Sequence, residues 1–188
     1  MPPIKLMLIR HGEKQPDTGP PPYGINAKGE QDKHSLIARG WQRAGALVPF
    51  FRRAWANGIE CPDAIYASKV GETKLIADGH DISKSLRPQE TVTPLADVIE
   101  PAGGLQTPFP VGEEAALVQT IKSKEDGIVL VAWEHNHIPK IASEFSSEAP
   151  PSWPASRFDN VWVLTRADDG SYDFAQVPQL LLSGDLPD

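Results

Sequence analysis

Cysteine is almost absent from this chain: Cys61 is the single one in 188 residues. One thiol makes neither an internal disulfide nor a Cys-rich zinc site. With no Cys-His context it is expected as a small packed residue rather than a nucleophile. Long apolar runs are missing too. The longest strongly apolar stretch, Ile128 to Trp133, falls far short of the ~20 residues that a bilayer-spanning helix needs. The N-terminus reads Met1-Pro2-Pro3-Ile4-Lys5-Leu6 and lacks the basic segment and apolar run of a secretory signal, so a soluble, cytoplasmic protein is expected. Positive charge is in the minority, with 18 basic residues against 25 acidic ones and a net charge of -7. That balance argues against nucleic-acid or membrane-surface binding, but it leaves room for a small, locally positive pocket that takes an anion.

What is present is ordinary globular material, 40% hydrophobic and 23% charged, in a length that suits one domain over residues 1–188. Such a chain buries roughly 70% of its unfolded surface and needs no staples. Proline alone is in excess, at 19 residues, roughly twice the usual ~5%. It gathers at Pro16, Pro20, Pro21 and Pro22 and again at Pro150, Pro151 and Pro154, which reads as two stiff loops.

Between these loops, apolar runs and helical periodicity alternate. Ile4 to Ile9 is a short apolar run, as in a strand buried on both faces. Glu13 to His34 is punctuated by Gly and Pro and should be loop. Trp41, Ala44, Val48, Phe51 and Trp55 recur at spacings of three and four, predicting a helix over 35–55 that Pro49 kinks or splits and Gly58 stops. A strand follows over 63–68, then a long polar loop over 69–84. Arg87-Pro88 opens a helix to about Val98. A weak strand covers 105–109, and a helix beginning at Gly112-Glu113-Glu114 runs to about Lys124. Residues 127–133 form the clearest buried strand, followed by a short helix over 139–145. Strands over 160–166 and 172–177 flank the turn Asp168-Asp169-Gly170-Ser171 as a hairpin. The alternation predicts a three-layer α/β/α sandwich with a mostly parallel central sheet and a C-terminal antiparallel hairpin.

In open α/β sheets, ligands bind at the carboxyl ends of the strands. Two strands here end in histidine, His11 after the first and His135 after the Ile128–Trp133 run. Arg10 precedes His11, and Arg87 sits where a loop meets a helix. Two guanidiniums and two imidazoles at one sheet edge would suit a phosphoryl group, which arginine binds bidentately and neutral imidazole can attack. The only metal-like spacing is His135-x-His137, and two ligands without a third carry little weight. His137 is expected in a loop or helix start, and His34 and His80 in solvent.

Leu8-Ile9-Arg10-His11-Gly12-Glu13 resembles the Arg-His-Gly motif of the histidine phosphatase superfamily, the phosphoglycerate mutase-like proteins. Ala38-Arg39-Gly40-Trp41-Gln42-Arg43-Ala44 is similar to that family's Gly-x-x-(Arg/Gln)-Ala helix. Ile65-Tyr66-Ala67-Ser68 is similar to its second strand. Ser85-Leu86-Arg87-Pro88-Gln89-Glu90-Thr91 looks like a variant of its second arginine motif, with Arg-x-x-x-Thr kept. Val129 to His135 looks like its late strand and second histidine. These segments follow the family order over nearly the whole chain.

The resemblance implies His11 as nucleophile and Arg10, Arg87 and His135 as the rest of a phosphate pocket, with no metal and no cofactor. The implied activity is a phosphomonoesterase acting on a small phosphorylated substrate. A mutase-type phosphotransferase and a non-catalytic phosphate-binding protein stay open as alternatives. The serine-to-arginine spacing is longer than the family's, which makes Lys69 the rival of Arg87. His135 is followed by Asn136, not by the aspartate that supplies the proton in the family's acid phosphatases and phytases. The mutase-like members place a glutamate after the third strand, which points to Glu113 as general acid, with Glu114 and then Glu100 behind it.

Overall fold

The computed structural model describes residues 2–53, 58–77 and 79–187, and only the backbone of residues 77 and 80. The strands are β1 (Lys5–Arg10), β2 (Ala64–Ala67), β3 (Ile76–Ala77), β4 (His80–Asp81), β5 (Leu105–Gln106), β6 (Ile128–Trp133), β7 (Asn160–Arg166) and β8 (Tyr172–Pro178). The helices are α1 (Ala38–Phe51), α2 (Arg87–Ile99), α3 (Glu114–Lys124) and α4 (Ile138–Ala142). None of the described helices is long and apolar enough to cross a membrane.

Six strands form one sheet in the order β5-β2-β6-β1-β7-β8. β5, β2, β6 and β1 run parallel, while β7 is antiparallel to β1 and β8 to β7. Every residue of β1 is buried. Successive strand side chains point to opposite faces, so β1 feeds two cores at once. Leu6 and Leu8 pack with Val129, Val131 and Trp162 against Leu117 and Ile121 of α3 and Ile141 of α4. Met7 and Ile9 pack with Ile65, Leu130 and Val161 against Leu47 and Phe51 of α1 and Val92 and Leu95 of α2. The result is the expected α/β/α layering, with the hairpin at one sheet edge.

Local departures from the sequence reading have physical causes. α1 is one element that includes Pro49 and ends two residues later. Its buried face is Gly40, Arg43, Ala44, Leu47, Phe50 and Phe51, turned from the expected one. Trp41 is only half-buried, and its indole N–H donates to the Ile25 carbonyl at 2.7 Å. The stripe is turned because Arg43 is buried in a charge network, which a hydrophobic pattern counts as an outward position. Trp55, expected on this helix, lies outside the described residues. Within the loop over 69–84, β3 and β4 pair as a two-residue ribbon that carries no usable period. Cys61 is exposed rather than packed. The side chain of His80 lies outside the described residues.

Candidate active site

β1 and β6 run parallel with Arg10 opposite Trp133, and the His11 N–H donates to the Trp133 carbonyl at 3.1 Å. Both strands therefore end at one level. The residues that follow them, His11 on one side and Glu134 and His135 on the other, emerge together at the carboxyl edge of the sheet. A cavity of about 150 Å³ opens there, lined by Arg10, His11, Arg87, Glu134 and His135. Lys14 to Asp17, Lys33, His34, Asp81, Ile82 and Ser85 complete its lining.

Glycine at position 12 is a packing requirement. A Cβ there would sit 3.1 Å from the Gly40 carbonyl oxygen, and one on Gly40 would sit 2.6 Å from the Glu13 carbonyl oxygen. The end of β1 and the start of α1 thus approach glycine to glycine. The Gly12 N–H donates to Thr91 Oγ1 at 2.7 Å, and that hydroxyl donates to the Arg87 carbonyl at 2.7 Å. One buried threonine therefore ties the histidine loop to the first turn of α2, where Arg87 sits. This is the structural content of the Arg-x-x-x-Thr spacing. From the same turn, the Glu90 carboxylate accepts the Leu36 N–H at 2.8 Å and fixes the loop that returns to α1.

His11 is 4% exposed. Its Nδ1 lies 2.7 Å from the Gly12 carbonyl oxygen. A carbonyl only accepts, so Nδ1 carries the proton and Nε2 carries the lone pair. Burial, then the Arg87 and Arg10 charges, hold the imidazole well below its ordinary value of 6.5. The ring is neutral at neutral pH, as a nucleophile must be.

Arg10 is held on several sides. Its Nη1 donates to the carbonyls of Ala155 and Arg157, and its guanidinium stacks 3.8 Å above the centroid of the Phe158 ring. Such stacking fixes the plane of the guanidinium at the cavity wall. Arg87 donates from Nε to Ser85 Oγ at 2.9 Å. Glu134 accepts the Asn136 N–H at Oε2 at 2.9 Å, and its Oε1 lies 2.6 Å from His135 Nδ1.

Four of the residues singled out in the sequence, Arg10, His11, Arg87 and His135, line this one cavity. Lys69 does not. Its N–H donates to the Phe109 carbonyl, and it lines a second cavity of about 540 Å³ with Gly71 to Leu75, Ser83 and Pro110. Glu113 lines that second cavity as well, exposed at the N-cap of α3, and so is not brought to His11. Glu114 is turned inward. It accepts from the Trp133 indole at 3.0 Å and the Gly112 N–H at 2.8 Å, and faces His137 Nδ1 at 2.9 Å. These partners outweigh burial and hold its carboxyl at about 2. Glu100 is an exposed C-cap of α2 in the left-handed region. His135 and His137, the pair with metal-like spacing, face different carboxylates.

His34 was expected in solvent, but it is half-buried and lines the cavity. Its N–H donates to Asp32 Oδ1 and its carbonyl accepts the Leu86 N–H. Burial, followed by smaller opposing charge effects, lowers its pKa from 6.5. Phe158 and Glu134 were not singled out either. Glu134 carried a readable signal, since it sits between two assigned positions at a strand end. Phe158 carried none, because its role depends on a distant loop folding over Arg10.

No protein-family model matches the sequence, and no curated protein matches it. Solved structures do. The chain is similar to the protein histidine phosphatase SixA complexed with tungstate, at 14% identity and a TM-score of 0.55, over 93% of this chain and 97% of that one. It is similar to phosphoglycerate mutase from Bacillus anthracis str. Sterne at 13% identity and a TM-score of 0.51, over 93% and 92%. A phosphoserine phosphatase from Entamoeba histolytica, in complex with 3-phosphoglyceric acid, gives 14% identity and a TM-score of 0.50, over 91% and 94%. At these identities the likeness is one of fold, and it runs nearly end to end. The protein has the fold of the histidine phosphatase superfamily.

Proposed function

We propose that the protein is a metal-independent phosphomonoesterase that works through a phosphohistidine on His11. The observation that carries this reading is the state of His11. It is a buried, neutral imidazole whose proton is kept on Nδ1 by the Gly12 carbonyl, in a cavity walled by Arg10 and Arg87. Arg10, Arg87 and His135 would hold the phosphoryl oxygens and neutralise their charge. His11 Nε2 would attack phosphorus in line with the leaving oxygen, and water would then hydrolyse the phosphohistidine. Catalysis would rest mainly on positioning and electrostatic stabilisation. The tungstate of SixA and the 3-phosphoglyceric acid of the phosphoserine phosphatase support a small phosphorylated ligand here.

A phosphotransferase would use the same groups and differ in its acceptor, and a binding protein would hold phosphate without turnover. The test is hydrolysis of p-nitrophenyl phosphate with and without EDTA, with enzyme quenched during turnover. The expected result is EDTA-insensitive phosphate release, lost in His11→Ala, with acid-labile, base-stable label on His11. Label on serine or aspartate, or phosphate binding without release, overturns the reading.

A further inference from the structure

A histidine nucleophile disposes of the phosphoryl group but not of the leaving oxygen, which departs as an alkoxide unless a proton reaches it as the P–O bond breaks. The donor must stand in the cavity that holds His11. Among the described residues, three carboxylates line that cavity: Asp17, Asp81 and Glu134. Asp17 is exposed, on the loop beside Lys14, with its Oδ1 2.5 Å from the Lys14 ammonium. Asp81 accepts from both the Ser83 hydroxyl at 2.6 Å and the Ser83 N–H at 3.1 Å, bonds that favour the anion. Glu134 is the buried one, its side chain 6% exposed. Its oxygens are already engaged as acceptors, Oε2 by the Asn136 N–H at 2.9 Å and Oε1 by the Asn136 amide at 3.3 Å. The same Oε1 stands 2.6 Å from Nδ1 of His135, a ring that is 4% exposed and lines the cavity. Nδ1 and Oε1 thus form a close charge contact; with a proton on Nδ1 toward that carboxylate, Nε2 is the ring's other donor or acceptor atom.

We propose that His135 is the proton donor to the leaving group as well as a phosphoryl ligand, with Glu134 as its positioning residue. The proposal rests on the phosphomonoesterase reading above. His135 enters the cycle as an imidazolium whose charge Glu134 balances. In the first step the His11 Nε2 lone pair forms the N–P bond, and the P–O bond to the leaving group breaks. The released electron pair takes the proton from His135 Nε2, so alcohol departs and His135 is left neutral with Nδ1–H toward Glu134. In the second step water attacks phosphorus, and the N–P bond breaks with its pair returning to His11 Nε2. The water proton goes to His135 Nε2, and inorganic phosphate leaves with the imidazolium restored. One ester and one water are consumed, and one alcohol and one phosphate are made.

The test compares leaving groups. With glycerol phosphate, whose alkoxide needs a proton, Glu134→Gln is expected to lower kcat/KM by on the order of 100-fold or more. With p-nitrophenyl phosphate, whose phenolate leaves unaided, the expected loss is about 3-fold or less. Any effect on phosphoryl binding or on folding is common to both substrates and cancels in the ratio. His135→Asn is expected to show the same split on top of a shared loss, and adding Glu134→Gln to it should widen the split no further. The wild type supplies a reading that needs no variant: over a series of aryl phosphates, kcat/KM should depend only shallowly on the leaving-group pKa.

Equal losses on both esters, or a steep leaving-group dependence in the wild type, overturn the proposal. A split produced by Asp17→Asn or Asp81→Asn instead does the same. Wild type that hydrolyses neither ester removes the phosphomonoesterase reading and this proposal together, whereas hydrolysis without the split removes this proposal alone.

Discussion

Thr91→Val tests the joint that holds the site together. Thr91 is fully buried. Its hydroxyl accepts the Gly12 N–H and donates to the Arg87 carbonyl, each at 2.7 Å. Valine keeps the shape and removes the hydroxyl. The Arg87 carbonyl keeps its place in the helix ladder of α2, where the residue-91 N–H is its regular i-4 donor. The Gly12 N–H has no such substitute and is left buried without that acceptor. One stranded donor costs about 1–3 kcal/mol. At the middle of that range, a protein of this size should lose roughly 4–8 °C of melting temperature.

Thr91→Ser is the control. It keeps both bonds and removes one buried methyl group, at about 1 kcal/mol. Thermal unfolding followed by circular dichroism measures both, and the expected order is wild type, then serine, then valine. The valine variant should also lose turnover of p-nitrophenyl phosphate, because the Gly12 carbonyl orients His11. A valine variant as stable as the serine one would refute the reasoning, since Gly12 would then be satisfied without the hydroxyl.

Other expected outcomes follow from the same geometry. Arg87→Ala should lose at least ~3 kcal/mol of transition-state stabilisation, read from kcat/KM, while Lys69→Ala in the other cavity should be close to neutral. The reverse ranking would mean that the lysine serves the phosphoryl group. His11 has a native pKa well below 6.5, so below that pH the unfolded chain binds a proton that the native state does not. Stability is therefore full above pH 6.5 and declines as the pH falls toward the native value. The gap between urea midpoints at about pH 7.5 and about pH 5.5 should narrow in His11→Asn, and an unchanged gap would contradict the assignment.

Asp185 accepts from Arg43 at 2.7 Å and from the Leu181 and Leu182 N–H groups at 2.9 and 3.0 Å, which hold its carboxyl at about 2 despite burial. Asp185→Asn should cost about 1–3 kcal/mol in denaturant titrations near neutral pH, since charge-assisted bonds are lost while Arg43 keeps its pair with Glu13. A variant with wild-type stability would show that the bonds of Asp185 contribute nothing to the fold.

The sequence by itself determined the layering and most of the lining of the His11 cavity. Ile128 to Trp133 and Leu6 to Ile9 are apolar without a break, as the middle of a strand buried on both faces requires, and the charged residues Lys5 and Arg10 stand at the ends of β1. Helical stretches between such strands require a parallel sheet, and a parallel sheet brings its strand-end residues to one edge. That places Arg10 and His11 beside His135 with no knowledge of distances. Arg87 and Thr91 were readable only through the resemblance of Arg-x-x-x-Thr to the family's second arginine motif.

Tertiary structure decided what depended on long-range partners. Arg43 turned the face of α1 inward only because Glu13 and Asp185 meet it there. Phe158 reached Arg10 through a loop that no periodicity announces. Glu113 follows a two-residue strand at the sheet edge, and the packing of Lys69 to Leu75 gives it a different cavity from that of His11. Spacing along the chain places a residue relative to its own element. Which cavity that residue enters is set by how the loops of other elements pack around it, and those contacts are formed by the folded molecule alone.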